Sequence, residues 1–169
     1  HLLAISFVAL YFKAEKPLSD KNLFFLSLLA GLATFNRMDT LLFYLPALFV
    51  LLRNQFNKRT FLTMLTGFSP FILWEIFSII YYGFPVPNTY YAKMNTGVPL
   101  SEELTQGILY FFNALGWDPI TLTITFSALV LTFISKRKDD ILIALGILLY
   151  LGYIIYIGGD FMSGRFFSA

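Results

Sequence analysis

LFFLSLLAGLATFNRMDTLLFYLPALFVLL, residues 23–52, is the stretch on which the fold turns. As one straight α-helix it would be about 45 Å long at 1.5 Å per residue, well beyond the roughly 30 Å hydrocarbon core of a bilayer. It is interrupted once, at Asn36, Arg37, Met38 and Asp39. Two half-length or tilted helices meeting at that polar break are therefore expected. Lys13, Lys16 and Lys21 precede the stretch, and Arg53, Lys58 and Arg59 follow it. Cationic clusters favour the cytoplasmic side, so the pair is expected to enter and return, presenting Arg37 and Asp39 to the outer face.

Composition agrees with lipid as the solvent. Of the 169 residues 57% are hydrophobic, 19% aromatic and 13% charged, against roughly 25% charged in a soluble domain. This profile excludes a disordered chain, a nucleic-acid module and an ordinary cytosolic enzyme. There is no cysteine, and the single histidine is His1. Thiolate metal sites, thiol nucleophiles and a Ser/His relay are excluded with them, leaving carboxylates, lysines and tyrosines for acid–base work. The chain opens inside an apolar run with no signal-peptide pattern, and is read as an internal fragment of a longer protein.

Outward from the deciding stretch, His1 to Phe12 is too short to cross and is read as the tail of a span. Thr60 to Tyr82 is expected to form one full-length span, kinked at Pro70 and carrying Glu75 as a buried carboxyl. It leads to an outer loop over 83–118. Ser101, Glu102 and Glu103 suit a helix start, and Leu104, Ile108, Phe111, Phe112 and Leu115 then share one face of an interfacial helix over about 102–117. Asp118 and Pro119 start a span running inward to Lys136, Arg137 and Lys138, and Asp139 and Asp140 open a last one, Ile141 to Ile157. The fold class is all-α: a polytopic transmembrane helical protein with about five or six membrane helices or half-helices plus one interfacial helix.

This topology puts nine of the twelve Lys and Arg on one side. Arg37, Lys93 and Arg165 are the exceptions, each beside a polar or acidic cluster on the outer side. Cations held against the positive-inside bias call for a separate explanation, and an anionic ligand is a reasonable one.

Each outer cluster supports two readings. At Asn36-Arg37-Met38-Asp39 the Arg and Asp either form an internal salt bridge that makes a helix break tolerable, or the guanidinium faces a cavity and holds a phosphate in a bidentate way. In Gly83-Phe84-Pro85-Val86-Pro87-Asn88-Thr89-Tyr90-Tyr91-Ala92-Lys93, the aromatic faces and hydroxyls suit a sugar and the lysine a phosphate. The same residues also suit an aromatic belt with a snorkelling lysine. Gly158-Gly159-Asp160-Phe161-Met162-Ser163-Gly164-Arg165-Phe166-Phe167 is either an ordinary turn between spans or a loop that presses against a ligand. Asp160 there can be an acid/base group or can orient Arg165. No phosphate-binding glycine loop, dinucleotide fingerprint or metal-ligand spacing occurs.

On these three segments the sequence resembles the multi-spanning GT-C glycosyltransferases that use lipid phosphosugars, and in pattern the terminal arabinofuranosyltransferases of mycobacterial cell-wall assembly and their bacterial relatives. The resemblance implies that residues 1–169 are part of a single GT-C-like transmembrane domain of the bacterial cytoplasmic membrane. It implies transfer of a sugar from a polyprenyl-phosphate donor to a cell-envelope glycan or lipid acceptor on the outer face, among membrane lipid and without nucleic acid. Arg37, Lys93 and Arg165 then correspond to donor-phosphate residues, and Asp39, Asn88, Tyr90, Tyr91 and Asp160 to sugar- or acceptor-binding ones. The family's catalytic acids lie in a first outer loop with no counterpart here, so the catalytic base is not identified, with Asp160 the nearest candidate. On this reading the amino-terminal catalytic loop and a carboxy-terminal remainder are missing, and the fragment alone is inactive. No cofactor is evident, and a divalent cation is compatible with the reading though nothing indicates one.

The rival reading is a multi-spanning transporter or flippase for an anionic lipid-linked or small substrate, with the outer cations and Glu75 lining a pathway. It predicts polar residues continuing to the inner face, where the spans are almost wholly apolar.

Overall fold

The computed structural model describes residues 1–86, 91, 97–160, 162 and 164–167. All regular structure among them is helical: α1 (Leu2–Lys13), α2 (Asp20–Asn36), a 3-10 turn (Met38–Thr40), α3 (Leu41–Asn54), α4 (Lys58–Gly67), α5 (Ser69–Tyr82), α6 (Leu100–Trp117), α7 (Pro119–Ser135) and α8 (Lys138–Tyr156). The chain divides into two compact units, His1–Pro85 and Val86–Ala169.

In the first unit α2 is the central element, with α1, α3, α4 and α5 packed on it. Its start is capped by Ser19, whose side chain accepts from the Asn22 N–H at 3.3 Å. Its packing surface joins Leu23 and Leu26 to a run of small residues, Ser27, Ala30, Gly31, Ala33 and Thr34, all buried. Such stripes let helix backbones approach closely. A Cβ at Gly67 of α4 would lie 2.5 Å from the Ser27 Cβ and 2.8 Å from the Phe24 carbonyl oxygen. The Thr34 hydroxyl donates to the Ala30 carbonyl at 2.8 Å, so this buried polar group is satisfied within its own helix.

The break at 36–39 lies where the sequence places it, between α2 and α3. The stretch 60–82 differs from expectation. Instead of one span kinked at Pro70, the chain forms α4 and α5, bent by 67° across Phe68. Pro70 sits in the first turn of α5. A proline there costs no hydrogen bond, because first-turn N–H groups have no helical partner. It therefore starts a helix where the sequence reading has it bend one.

In the second unit α6 and α7 meet at a 114° bend. Asp118 caps α7 and Pro119 opens it, as the sequence indicates. The α6 start is at Leu100 after Pro99, so Ser101 lies inside the helix, and Glu102 and Glu103 occupy the first turn. The face of α6 that packs is Gly107, Tyr110 and Ala114. Of the expected apolar face, Leu104, Ile108, Phe112 and Leu115 are exposed. Gly107 makes the crossing with α8 possible: a Cβ there would lie 2.3 Å from the Ile155 carbonyl oxygen.

Among the described residues one helix, Lys138–Tyr156, is long and apolar enough to cross a membrane, and there are up to three such spans if each bent pair counts as one. Many large apolar side chains remain exposed, Leu73 at 65% and Ile80 at 79% among them, and α5 buries no residue at all.

Gly67→Ala and Gly107→Ala should each lower stability by about 1–3 kcal/mol through overpacking against backbone. Gly152→Ala, where nothing lies within 4 Å of the added methyl, should be neutral or stabilising by up to about 1 kcal/mol from helix propensity. Thermal melting of the three variants checks the contrast. At the α7 cap, the Thr121 hydroxyl donates to Asp118 at 2.6 Å and the Thr121 N–H at 3.2 Å. These bonds, the hydroxyl first, hold the Asp118 carboxyl below its ordinary value. A depressed carboxyl stabilises the fold above its unfolded value, about 3.9, and the contribution is lost as pH falls through the lower folded value. Amide exchange at Thr121 should therefore stay protected down to the ordinary carboxylate range and open below it, and Asp118→Ala should remove that pH dependence.

Candidate functional site

Among the described residues two polar constellations of the segments read as outer stand out, one in each unit. In the first, α2 ends at Asn36, and Arg37 adopts an extended conformation, φ −150° and ψ 115°. The Arg37 N–H still donates to Ala33 at 2.9 Å, and its carbonyl accepts from the Thr40 N–H at 3.1 Å and the Thr40 hydroxyl at 2.7 Å. The reversed chain brings Asp39 under the guanidinium. Nε donates to Oδ1 at 3.1 Å and Nη2 to Oδ2 at 2.5 Å. This is the planar fork that arginine forms with a carboxylate, and with side chains 25% and 10% exposed it carries two mostly sheltered charges as a neutral pair. The salt-bridge reading of these residues is the geometry found.

The second constellation follows α8. Gly158 and Gly159 have φ of +70° and +71°, the left-handed region that glycine enters without a Cβ penalty. Their N–H groups donate to Ile155 at 3.2 Å and Ile154 at 2.9 Å, closing the helix end. Gly159 then lies directly on the Tyr110 ring, where a Cβ would be 2.6 Å from Cγ. From here the chain is clamped by two tyrosines. The Phe166 N–H donates to the Tyr110 hydroxyl oxygen at 3.1 Å, and the Tyr150 hydroxyl donates to the Phe166 carbonyl at 3.1 Å. Phe166 is buried, and Phe167 stacks on Tyr110 with ring centroids 5.6 Å apart.

The clamp fixes the residue beside Phe166. Arg165 Nη1 donates to Asp160 Oδ2 at 3.0 Å, with the Asp160 side chain 6% exposed and that of Arg165 56% exposed. A sheltered carboxylate thus orients a guanidinium that still reaches the surface. Such a group can meet an anion without the cost of ordering a loose side chain.

The structure therefore joins Arg37 to Asp39 in one unit and Arg165 to Asp160 in the other. Tyr91 is helical and half-buried, whereas Asn88, Tyr90 and Lys93 lie outside the described residues. Just before them, Gly83 ends α5 in the left-handed conformation, and Ser78 donates to the Phe84 carbonyl at 2.9 Å. Sequence reasoning missed Tyr110 and Tyr150. The available signal was the Gly107, Tyr110, Ala114 spacing, one small-residue helical face next to the more conspicuous apolar one. Among the described residues no three His, Cys, Asp or Glu side chains gather as a metal-binding group would need.

Tyr110→Phe removes the acceptor of a buried N–H and should destabilise by about 1–3 kcal/mol. Gly159→Ala should cost more than Gly164→Ala, since both positions have positive φ but only Gly159 lacks space for a methyl. Melting temperatures of the three variants decide both points.

Comparison with known proteins gives one relative. The chain is 28% identical, over 182 aligned residues and 89% of its length, to a terminal beta-(1->2)-arabinofuranosyltransferase of Mycobacterium tuberculosis (strain ATCC 25618 / H37Rv). The match spans 28% of that protein's length. No family model matches the chain, and no solved structure does. The similarity is that of a distant relative of a glycosyltransferase.

Proposed function

We propose that the chain is part of a membrane-embedded glycosyltransferase that moves a sugar from a polyprenyl-phosphate donor to a cell-envelope glycan or lipid acceptor on the outer face of the cytoplasmic membrane. One observation carries the reading: the Arg165 guanidinium, half-exposed and held by the sheltered Asp160 carboxylate on a loop clamped by Tyr110 and Tyr150. The distant likeness to an arabinofuranosyltransferase supports the reaction class.

In that reaction an acceptor hydroxyl attacks the anomeric carbon, the bond from that carbon to the phosphate oxygen breaks, and a carboxylate takes the hydroxyl proton. Negative charge grows on the departing lipid phosphate, so a fixed cation there stabilises the transition state more than the ground state. Arg165 is proposed for this task, with Arg37 and Lys93 as further donor-phosphate residues. Asp160 positions Arg165 or binds a sugar hydroxyl, and Asp39, Asn88, Tyr90 and Tyr91 are proposed to contact sugar or acceptor. The base is proposed to lie in the rest of the protein.

Arg165→Ala and Lys93→Ala in the full-length protein should each lower sugar transfer about 10²–10³-fold with expression unchanged. A radiolabelled polyprenyl-phosphate donor assay on membranes measures this, and full activity in both variants refutes the phosphate assignment. Asp160→Asn should fall between wild type and Arg165→Ala, because the guanidinium remains but loses its charged partner.

A further inference from the structure

One end of the first unit gathers cations from four helices. The α1 end carries Lys13, the following loop Lys16, the α2 start Lys21, the α3 end Arg53, and the α4 start Lys58 and Arg59. These segments meet in space. Arg59 pairs with Asp20 across α4 and α2. The Gln55 amide, oriented to donate to the Leu18 carbonyl at 3.2 Å and accept its N–H at 2.9 Å, joins the α3 end to the loop before α2. Against six cations this end holds two acids, Glu15 and Asp20.

From this cationic end a shallow, open groove of about 420 Å³ lies on one face of α4, lined by Lys58, Arg59, Leu62, Thr63 and Thr66. From Lys58 to Thr66 it extends about 12 Å. Its character changes along its length. At one end stand Lys58 and Arg59, the latter shared with Asp20, and beyond them come Leu62, Thr63 and Thr66, whose hydroxyl is turned back to donate to the Thr63 carbonyl at 2.8 Å. With that hydroxyl engaged by the backbone, Thr66 presents its methyl group beside the Leu62 side chain. Phe61 and Leu65, on the adjoining face of α4, are exposed at 47% and 44%.

Cations at the start of a helix whose next two turns expose Phe61, Leu62 and Leu65 match an amphiphile with an anionic head, not a free anion and not a wholly apolar chain. We infer that this groove binds an anionic phospholipid of the surrounding leaflet, its phosphate at Lys58 and Arg59 and the upper part of an acyl chain along Leu62 and Thr66. The inference rests on the membrane placement proposed above. The convergent cations raise the local potential and draw anionic lipid to this end, and the groove selects one molecule from it.

The test uses the full-length protein. Alkaline carbonate washing of membranes comes first: a protein released to the supernatant refutes the membrane placement and this site with it. For a protein that stays with the membrane, native mass spectrometry compares retention of phosphatidylglycerol and phosphatidylcholine. Preferential retention of phosphatidylglycerol is expected, with Lys58→Gln lowering the preference about fivefold. Leu62→Ser should weaken both lipids while leaving their ratio unchanged. An unchanged ratio in Lys58→Gln, or displacement of phosphatidylglycerol by an equal concentration of inorganic phosphate, overturns the site while leaving the membrane placement intact.

Discussion

Backbone proximity at two helix crossings is the constraint on which the rest depends. Gly67 lets α4 lie on Ser27 and Phe24 of α2, and Gly107 lets α6 lie on Ile155 of α8, neither with room for a methyl group. In a chain this apolar, side-chain hydrophobicity does little to tell one helix face from another, because almost every face is apolar. What distinguishes a packing face is how closely two backbones can approach, and hence how many dispersion contacts form. The buried stripe of α2 and the Gly107, Tyr110, Ala114 face of α6 both follow this rule, with larger side chains such as Leu26 and Tyr110 filling in beside the small ones.

The same crossings place the chemistry. With α6 held against α8 at Gly107, the Tyr110 ring comes under Gly159 one turn further along, and its hydroxyl reaches the Phe166 N–H. Tyr150 of α8 takes the other side of the same residue. The position of Arg165 is thus a consequence of a glycine 58 residues earlier in the chain. Charge is handled differently in the two units. Arg37 and Asp39 share a bidentate fork and are both largely sheltered, whereas Asp160 is sheltered and Arg165 emerges. Removing charges from water requires pairing. The asymmetric pair leaves the Arg165 side chain at the surface, whereas the symmetric one shelters both charges at the break between α2 and α3.

Local sequence signals were readable where they rest on rules that act over a few residues. The Asp118-Pro119 helix start, the polar break at 36–39 and the closing of α8 at Gly158 all lie where the residues indicate. Pro70 was misread because proline supports two outcomes, a kink inside a helix or the first turn of a new one. The choice is made by the preceding residues: Gly67 must lie on α2, and the chain turns by 67° immediately after it. The exposed stripe of α6 was legible as apolar, but its hydrophobic periodicity could not show that the smaller neighbouring face is the one that packs.

The amino-acid sequence by itself determined that the chain is helical and apolar, where most helices begin and end, and which few cations stand outside the main basic clusters. These follow from composition, capping and periodicity, all of which operate within one or two turns. Only the tertiary structure decided which charges pair, which face of each helix is buried, and that two tyrosines forty residues apart in the chain grip the residue next to Arg165. The buried faces and the tyrosine grip depend on distances between segments remote in sequence, set by steric fit at the glycine crossings, whereas the Arg37–Asp39 and Asp160–Arg165 pairs are local and the sequence left each of them open beside a second reading.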